Sequence, residues 1–173
     1  MINFLDITYL KLGNKKQQKV YRILVSHRIM EQLSAYTPIF VGTIPIRIDI
    51  ETSDIDIICC VRDKNQFIEA LTIHFHHMKN FKVTENTAFG SVKANFYIDG
   101  FELEIFGQDL ESIQQNAYQH MMIEHSVLIE KGEKFRQEII NLKRQGLKTE
   151  SAFAKLLGLD GDPYKELLKL RFD

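Results

Sequence analysis

Two aspartates separated by one residue are the part of this sequence best suited to chemistry. In the segment Asp54-Ile55-Asp56-Ile57, acidic and apolar residues alternate, and the apolar run continues to Val61. In a β-strand, side chains at positions i and i+2 lie on the same face about 7 Å apart, so Asp54 and Asp56 would point the same way. Two like charges this close repel each other unless a cation lies between them. The spacing therefore predicts a divalent metal site, with Mg²⁺ as the expected ion because it prefers oxygen ligands.

A second predicted strand carries carboxylates in the same alternating pattern. Asp99-Gly100 is a strong signal for a tight hairpin turn, and it leads directly into the segment 101–106. In that segment Glu102 and Glu104 would share one face of the strand, with apolar side chains on the other face. An exposed sheet face would also explain one or both glutamates, so this alternative stays open.

The composition describes an ordinary globular protein. The chain has 173 residues, of which 45% are hydrophobic and 26% are charged, and its net charge is −1. This length predicts one domain, or a compact domain with an appendage. No block of lysine and arginine is present, so the composition does not favour nucleic acid as a partner, because phosphate contacts need clustered cations.

Sequence signals for export and for disulfides are missing. The first residues have neither a basic flank nor a long apolar run, and nowhere do 18 apolar residues follow one another. The two cysteines, Cys59 and Cys60, are neighbours whose side chains would leave opposite faces of a strand, so they are interpreted as apolar residues. A cytoplasmic protein without membrane contact is expected.

Hydrophobic periodicity predicts an α/β (α+β) chain in which helices flank a mixed sheet of about five strands. The predicted elements are a helix from Lys15 to about Tyr36, strands at 39–41 and 54–61, a helix from Asp63 to about Lys79, and strands at 81–88, 92–98 and 101–106. The strand at 54–61 is expected to be the central one. Residues 44–52 alternate like a strand, but Pro45 makes a loop an equal alternative. After Gly107 the pattern is helical, so residues 1–107 are predicted to form the core and 108–173 a small C-terminal helical cap packed with it.

The glycine turn before these strands completes a known pattern. Gly42-Thr43, followed after ten residues by Asp54-Ile55-Asp56-Ile57, resembles the signature of the polymerase-β-like nucleotidyltransferase superfamily. That superfamily carries a third carboxylate on a later strand, and the segment 99–105 resembles it, with Glu104 the better match and Glu102 the second. The resemblance implies that Asp54, Asp56 and Glu104 are the catalytic residues and the metal ligands.

The resemblance also implies a substrate and a reaction. Gly42, Thr43 and Ser53 would bind the nucleotide phosphates, with Mg²⁺ or Mn²⁺ as the cofactor and an NTP as co-substrate. A nucleoside monophosphate would pass to a hydroxyl or amine of an unknown small-molecule or protein acceptor. Thr43 stands where the superfamily usually has Gly or Ser. No lysine or arginine motif for the triphosphate is recognisable, and the candidates are Arg47, Lys93 and Lys148.

A longer set of segments resembles a bacterial family of unknown function that is grouped with these transferases. These segments are Gly42-Thr43-Ile44-Pro45, Ser53-Asp54-Ile55-Asp56, Glu104-Ile105-Phe106-Gly107-Gln108, Gln115-Asn116-Ala117-Tyr118 and Gly146-Leu147-Lys148-Thr149-Glu150. They are spread over nearly the whole chain, but that family implies no substrate.

Two other functions are compatible with the same residues. The fold could serve as a catalytically inactive nucleotide-binding or partner-binding module, or the carboxylates could form a hydrolytic metal site. The histidines are not expected to bind metal: His27 falls on an apolar helical stripe, and the three at 74, 76 and 77 lack carboxylate partners at helical spacing. Tyr118, His120 and Glu124 are likewise assigned to core or surface.

Overall fold

The structure, a computed structural model, describes residues 2–170 and divides into two compact units. The first unit contains the chain up to Val41 and from Asp54 to Gln115, and the second contains Gly42–Ser53 and the chain from Asn116 onward. The predicted division at residue 107 into a core and a helical cap stays a prediction. Each unit is described by itself.

The first unit is built on a five-stranded mixed sheet. Its elements in chain order are a 3₁₀ helix Ile7–Leu12, α1 Lys15–Ser26, α2 Ile29–Gln32, a 3₁₀ helix Ser34–Tyr36, β1 Ile39–Val41, β2 Ile55–Cys60, α3 Lys64–Phe75, β3 Lys79–Asn86, β4 Ser91–Ile98, β5 Phe101–Gln108 and a 3₁₀ helix Ser112–Gln114. The strand order is β1-β2-β5-β4-β3. Only β2 and β5 pair in parallel among the strands that the structure describes. The predicted α+β fold with a mixed sheet of about five strands flanked by helices is therefore confirmed.

Several details of this unit differ from the prediction. Helix α3 ends at Phe75, and β3 begins at Lys79, where the helix was predicted to continue. The middle strand of the sheet is β5, whereas β2, which was expected to be central, lies between β1 and β5. A single helix to about Tyr36 was also predicted, but α1 ends at Ser26 because Arg28 has a φ of +54°, which a right-handed helix cannot continue. The start of α1 is as expected, since Asn14 and Gln17 form a reciprocal capping box.

One face of the sheet is apolar and buried. Ile55, Ile57 and Cys59 of β2 lie on this face, and so do Leu103 and Ile105 of β5; Ile58 of β2 is buried as well. Helix α3 contributes three fully buried side chains, which are Phe67, Leu71 and Phe75. Burying each such side chain contributes about 1.5–3 kcal/mol, so this face supplies a large part of the stability of the unit.

The second unit is helical. Helix α4 spans Asn116–Arg144 but is interrupted at Gly132, whose φ of +78° and ψ of −170° are not helical. Helix α5 spans Thr149–Leu157 and ends at Gly158 in the left-handed conformation, and α6 spans Pro163–Leu167 behind the N-cap Asp162. Among the helices described between residues 2 and 170, none has the length and apolar character needed to cross a membrane.

The segment Gly42–Ser53 of the second unit contains turns and no strand, which decides the open alternative for residues 44–52 in favour of a loop. Its isoleucines at positions 44, 46 and 48 are nevertheless buried, at 0%, 2% and 0% exposure. The alternation seen in the sequence therefore reflects burial of these isoleucines without strand pairing.

Candidate active site

The parallel pairing of β2 with β5 brings two of the predicted carboxylates together. Asp56 is the register partner of Glu104. Paired residues on adjacent parallel strands point to the same face, and the strands lie about 4.8 Å apart. Both residues are half-buried, whereas Asp54 lies just before β2 and is exposed. Asp56 and Glu104 therefore lie side by side on one face of the sheet. Asp54 lies two residues before Asp56, next to the start of β2.

Polar side chains of β4 hold Glu104 in place. The Lys93 ammonium lies 3.1 Å from Glu104 Oε2. The Asn95 amide donates to Glu104 Oε2 and to Glu102 Oε1, both at 3.3 Å. Glu102 instead pairs in register with Tyr97. Because Glu104 is the carboxylate paired with Asp56, the geometry favours it over Glu102 as the third acidic residue.

The donor chemistry of this carboxylate group fits a hard divalent cation. Carboxylate oxygens are the ligands that Mg²⁺ and Mn²⁺ prefer, and Mg²⁺ is usually bound through one or two carboxylates together with waters and substrate phosphates. Asp56 and Glu104 provide such oxygens from rigid strands, and the exposed Asp54 provides another. Lys93 supplies one positive charge beside Glu104. Together, the three carboxylates can hold one divalent cation.

The residues predicted to bind phosphate lie in the loop of the second unit. Gly42 has a φ of +86°, a left-handed conformation in which glycine has no steric cost. The Thr43 and Ser53 hydroxyl oxygens lie 3.2 Å apart, and the backbone N–H of Ile50 donates to Ser53 Oγ at 2.9 Å. The two hydroxyls therefore meet where the loop begins and ends, although they are ten positions apart in the chain.

Basic residues of α4 fix the same loop. Arg136 donates to the carbonyl of Ile46, and the Lys143 ammonium donates to the carbonyl of Ile48 at 2.8 Å. Lys143 is 8% exposed, so this bond lies in a buried environment. Sequence reasoning missed both cations because it followed only the apolar positions of the helix. The signal that could have identified Lys143 is its position four residues after the buried Ile139, because this spacing places both residues on the same face of the helix.

The other cationic and histidine candidates are placed differently. Arg47 and Lys148, two of the three candidates for the triphosphate, are exposed residues of the second unit, and Arg47 has a φ of +63°. His27 Nε2 lies 3.0 Å from Asp99 Oδ2 in the first unit. His76 Nδ1 lies 2.8 Å from the Thr72 carbonyl oxygen of its own helix. Both of these histidines thus have protein partners.

Comparison with solved structures shows that the chain has a nucleotidyltransferase-like fold. It matches the Cid1 poly(U) polymerase bound to Mg 3′-dATP with a TM-score of 0.56 and 13% identity, over 89% of this chain and 48% of that chain. It matches the structure of the GLD-2/RNP-8 complex with a TM-score of 0.56 and 10% identity, over 87% and 61%. It matches a cytoplasmic RNA terminal U-transferase with a TM-score of 0.54 and 16% identity, over 75% and 39%. The chain therefore spans about two fifths to three fifths of the length of these structures, and the likeness concerns the fold alone.

The chain belongs to the family described as Domain of unknown function (DUF4269), whose model matches residues 22–170. The matched region includes Gly42, Asp54, Asp56 and Glu104. No curated protein matches the chain. The family description names no activity, so the function has to be argued from the geometry of the site.

Proposed function

We propose that this protein is a metal-dependent nucleotidyltransferase that transfers a nucleoside monophosphate from an NTP to a hydroxyl or amine acceptor. The observation that carries the proposal is the register pairing of Asp56 with Glu104 on adjacent parallel strands. The likeness to structures of a poly(U) polymerase and an RNA terminal U-transferase supports the fold. At 10–16% identity that likeness does not transfer an activity, so the chemistry rests on the carboxylates.

Each of the three predicted acidic residues would have a role in this reaction. Asp54, Asp56 and Glu104 would hold Mg²⁺ or Mn²⁺, which when bound would neutralise phosphate charge and polarise the phosphoryl oxygens. The acceptor oxygen or nitrogen would form a bond to the α-phosphorus while the bond to pyrophosphate breaks. Glu104 would accept the proton of the acceptor or complete the metal site, and Asn95 would keep its carboxylate oriented.

The acceptor is proposed to be a small molecule or a protein. A net charge of −1 and the lack of a basic block in the sequence do not favour a nucleic-acid surface. Two of the similar structures are nevertheless of enzymes named for RNA or poly(U) products. An acceptor screen should therefore contain an RNA oligonucleotide beside amines, sugars and proteins.

A binding module without turnover is the second candidate. The Lys93 ammonium, a candidate ligand of the triphosphate, lies 3.1 Å from Glu104 and thus stabilises that carboxylate. If Lys93 serves Glu104 in this way, the triphosphate has fewer cations available to it. Such a protein would bind nucleotide and would release neither pyrophosphate nor phosphate.

Calorimetric titration of the four NTPs with Mg²⁺ tests the proposed site. Wild-type protein is compared with Asp56→Asn and with the control Asp109→Asn, which removes an exposed aspartate that pairs with Arg62 in the same unit. Loss of a metal ligand should weaken Mg²⁺-dependent binding of the preferred NTP by about 100-fold or more, since even outer-shell changes cost about 10–100-fold. The control should bind like wild type. Unchanged binding by Asp56→Asn would refute the proposed site.

Product analysis then separates the candidate functions. Pyrophosphate release in the presence of an acceptor indicates transfer, whereas phosphate release indicates a hydrolytic metal site. Mg²⁺-dependent binding without either product, over the whole acceptor screen, indicates a binding module.

A further inference from the structure

Helices of the second unit carry another group of potential metal ligands. His120 and Glu124 lie one turn apart on α4, so their side chains share a face of the helix. Glu150 is the second residue of α5. One ligand atom from each of the three residues lies within 4.8 Å of the ligand atoms of the other two. A ring nitrogen and two carboxylate oxygens are therefore close enough to approach a single ion.

The burial of these side chains is unusual for polar groups. His120 is 7% exposed and Glu124 is 4% exposed. The Nδ1 atom of His120 is buried without a hydrogen-bond partner among residues 2–170. A buried polar atom left unpaired destabilises the folded protein, so a partner for this nitrogen is favoured. Glu150 is half-buried, so the group has an approach from solvent.

The acidic residues of this group favour a bound cation. Glu124 and Glu150 bring two acidic side chains to the imidazole of His120. Two acidic side chains and a buried ring nitrogen without a hydrogen-bond partner among residues 2–170 thus form a set of donors for a cation.

We propose that His120, Glu124 and Glu150 form a site for a divalent transition-metal ion, with Zn²⁺ as the ion to be tested. One imidazole nitrogen and two carboxylate oxygens are ligands that Zn²⁺ takes, and three protein ligands leave one coordination position open. Mg²⁺ prefers oxygen ligands throughout, so this group differs in ion preference from Asp54, Asp56 and Glu104.

The geometry requires a small closure of the side chains. Ligands about 2.1 Å from a tetrahedral ion lie about 3.4 Å from one another. The ligand atoms lie within 4.8 Å of one another, so they have to approach by at most about 1.4 Å. Glu150 lies in the first turn of α5 and is half-buried, which leaves its side chain room to rotate. Glu124 stays in place and defines the position of the ion together with His120.

The experiment uses the full chain after removal of metals with a chelator. Zn²⁺ is titrated by calorimetry, and Co²⁺ is added separately to record its visible absorption, which is strong when the ion has four or five ligands. The test variant is Glu150→Gln, whose half-buried position lets the protein fold, and Glu124→Gln is the second. Glu130→Gln is the matched control, since Glu130 lies on α4 with 54% of its side chain exposed.

Wild-type protein should bind one Zn²⁺ per chain at this site, and both test variants should lose at least about 100-fold in affinity, with loss of the Co²⁺ absorption. Glu130→Gln should bind like wild type. Asp56→Asn should also keep this binding, so the result does not depend on the proposed nucleotide site. Failure of wild type to bind Zn²⁺ and Co²⁺, or binding that survives both Glu150→Gln and Glu124→Gln, would overturn the proposal.

Discussion

Replacing Gly107 by alanine should weaken the packing of α3 against the middle strand of the sheet. Gly107 lies on β5 opposite Cys59, and a Cβ atom there would approach Phe67 Cε1 to 2.5 Å and Val61 Cγ2 to 2.6 Å. Both distances are shorter than carbon contacts allow. Phe67 and Val61 are 0% and 1% exposed, so neither side chain can move into solvent. The added methyl group must displace the buried ring or the strand.

The expected magnitude follows from this overlap. Forcing one extra methyl into a well-packed core typically costs about 1–3 kcal/mol. For a chain of this length, 1 kcal/mol lowers the melting temperature by about 2–4 °C, so Gly107→Ala should lower it by about 2–12 °C. Thermal unfolding followed by circular dichroism measures the change, and urea unfolding gives the free energy.

A double-mutant cycle shows whether the overlap with Phe67 is the cause. Phe67→Leu removes the ring edge that the new methyl would meet, so the double variant should be more stable than the two single changes predict, by about 0.5–3 kcal/mol. Gly90→Ala is the control, because no atom lies within 4 Å of a Cβ there and its φ of +61° adds only backbone strain. It should show no coupling to Phe67→Leu. Additive effects of Gly107→Ala and Phe67→Leu would refute the packing argument.

Three further predictions concern other parts of the chain. Ser53→Ala removes the acceptor of the Ile50 N–H, so it should lower the free energy of unfolding by about 0.5–1.5 kcal/mol in urea unfolding, and no change would contradict the role of this bond. Because burial raises the pKa of Glu124, the folded metal-free protein binds a proton more tightly than the unfolded chain, and stability should fall as pH rises above about 4.5. Glu124→Gln should flatten that decline in melting temperature between pH 5 and pH 8, with both proteins in chelator, whereas parallel declines would contradict the assignment. Burial also raises the pKa of the Cys59 thiol, so a thiol reagent should modify Cys60 alone in the native protein and both cysteines after denaturation; equal native rates would contradict the burial of Cys59.

Local signals were sufficient to predict most of the first unit. Alternation at 101–106 and the Asp99-Gly100 turn mark the hairpin that joins β4 to β5, because strand period and turn chemistry are encoded in neighbouring residues. Asn14 likewise marks the start of α1 through its cap. The break after α1 was not predictable in this way, because arginine is not a residue type that favours a positive φ such as that of Arg28.

Strand order and buried polar groups depend on distant parts of the chain. The position of β5 in the middle of the sheet, and the register that sets Glu104 beside Asp56, are fixed by pairing between segments about 48 residues apart. The resemblance to a known motif predicted this partnership, while periodicity alone predicted only the faces. The grouping of His120 with Glu124 and Glu150 depends on the packing of α4 with α5, which no spacing along the chain reveals.

The central claim is that Asp56 and Glu104 belong to one metal–nucleotide site. Anomalous diffraction from crystals grown with Mn²⁺ and a non-hydrolysable NTP analogue tests it most directly. We expect an anomalous peak at ligand distance from carboxylate oxygens of Asp56 and Glu104, with nucleotide phosphate next to it. Bound nucleotide without a peak at these carboxylates, or a peak that persists in Asp56→Asn crystals, would contradict it.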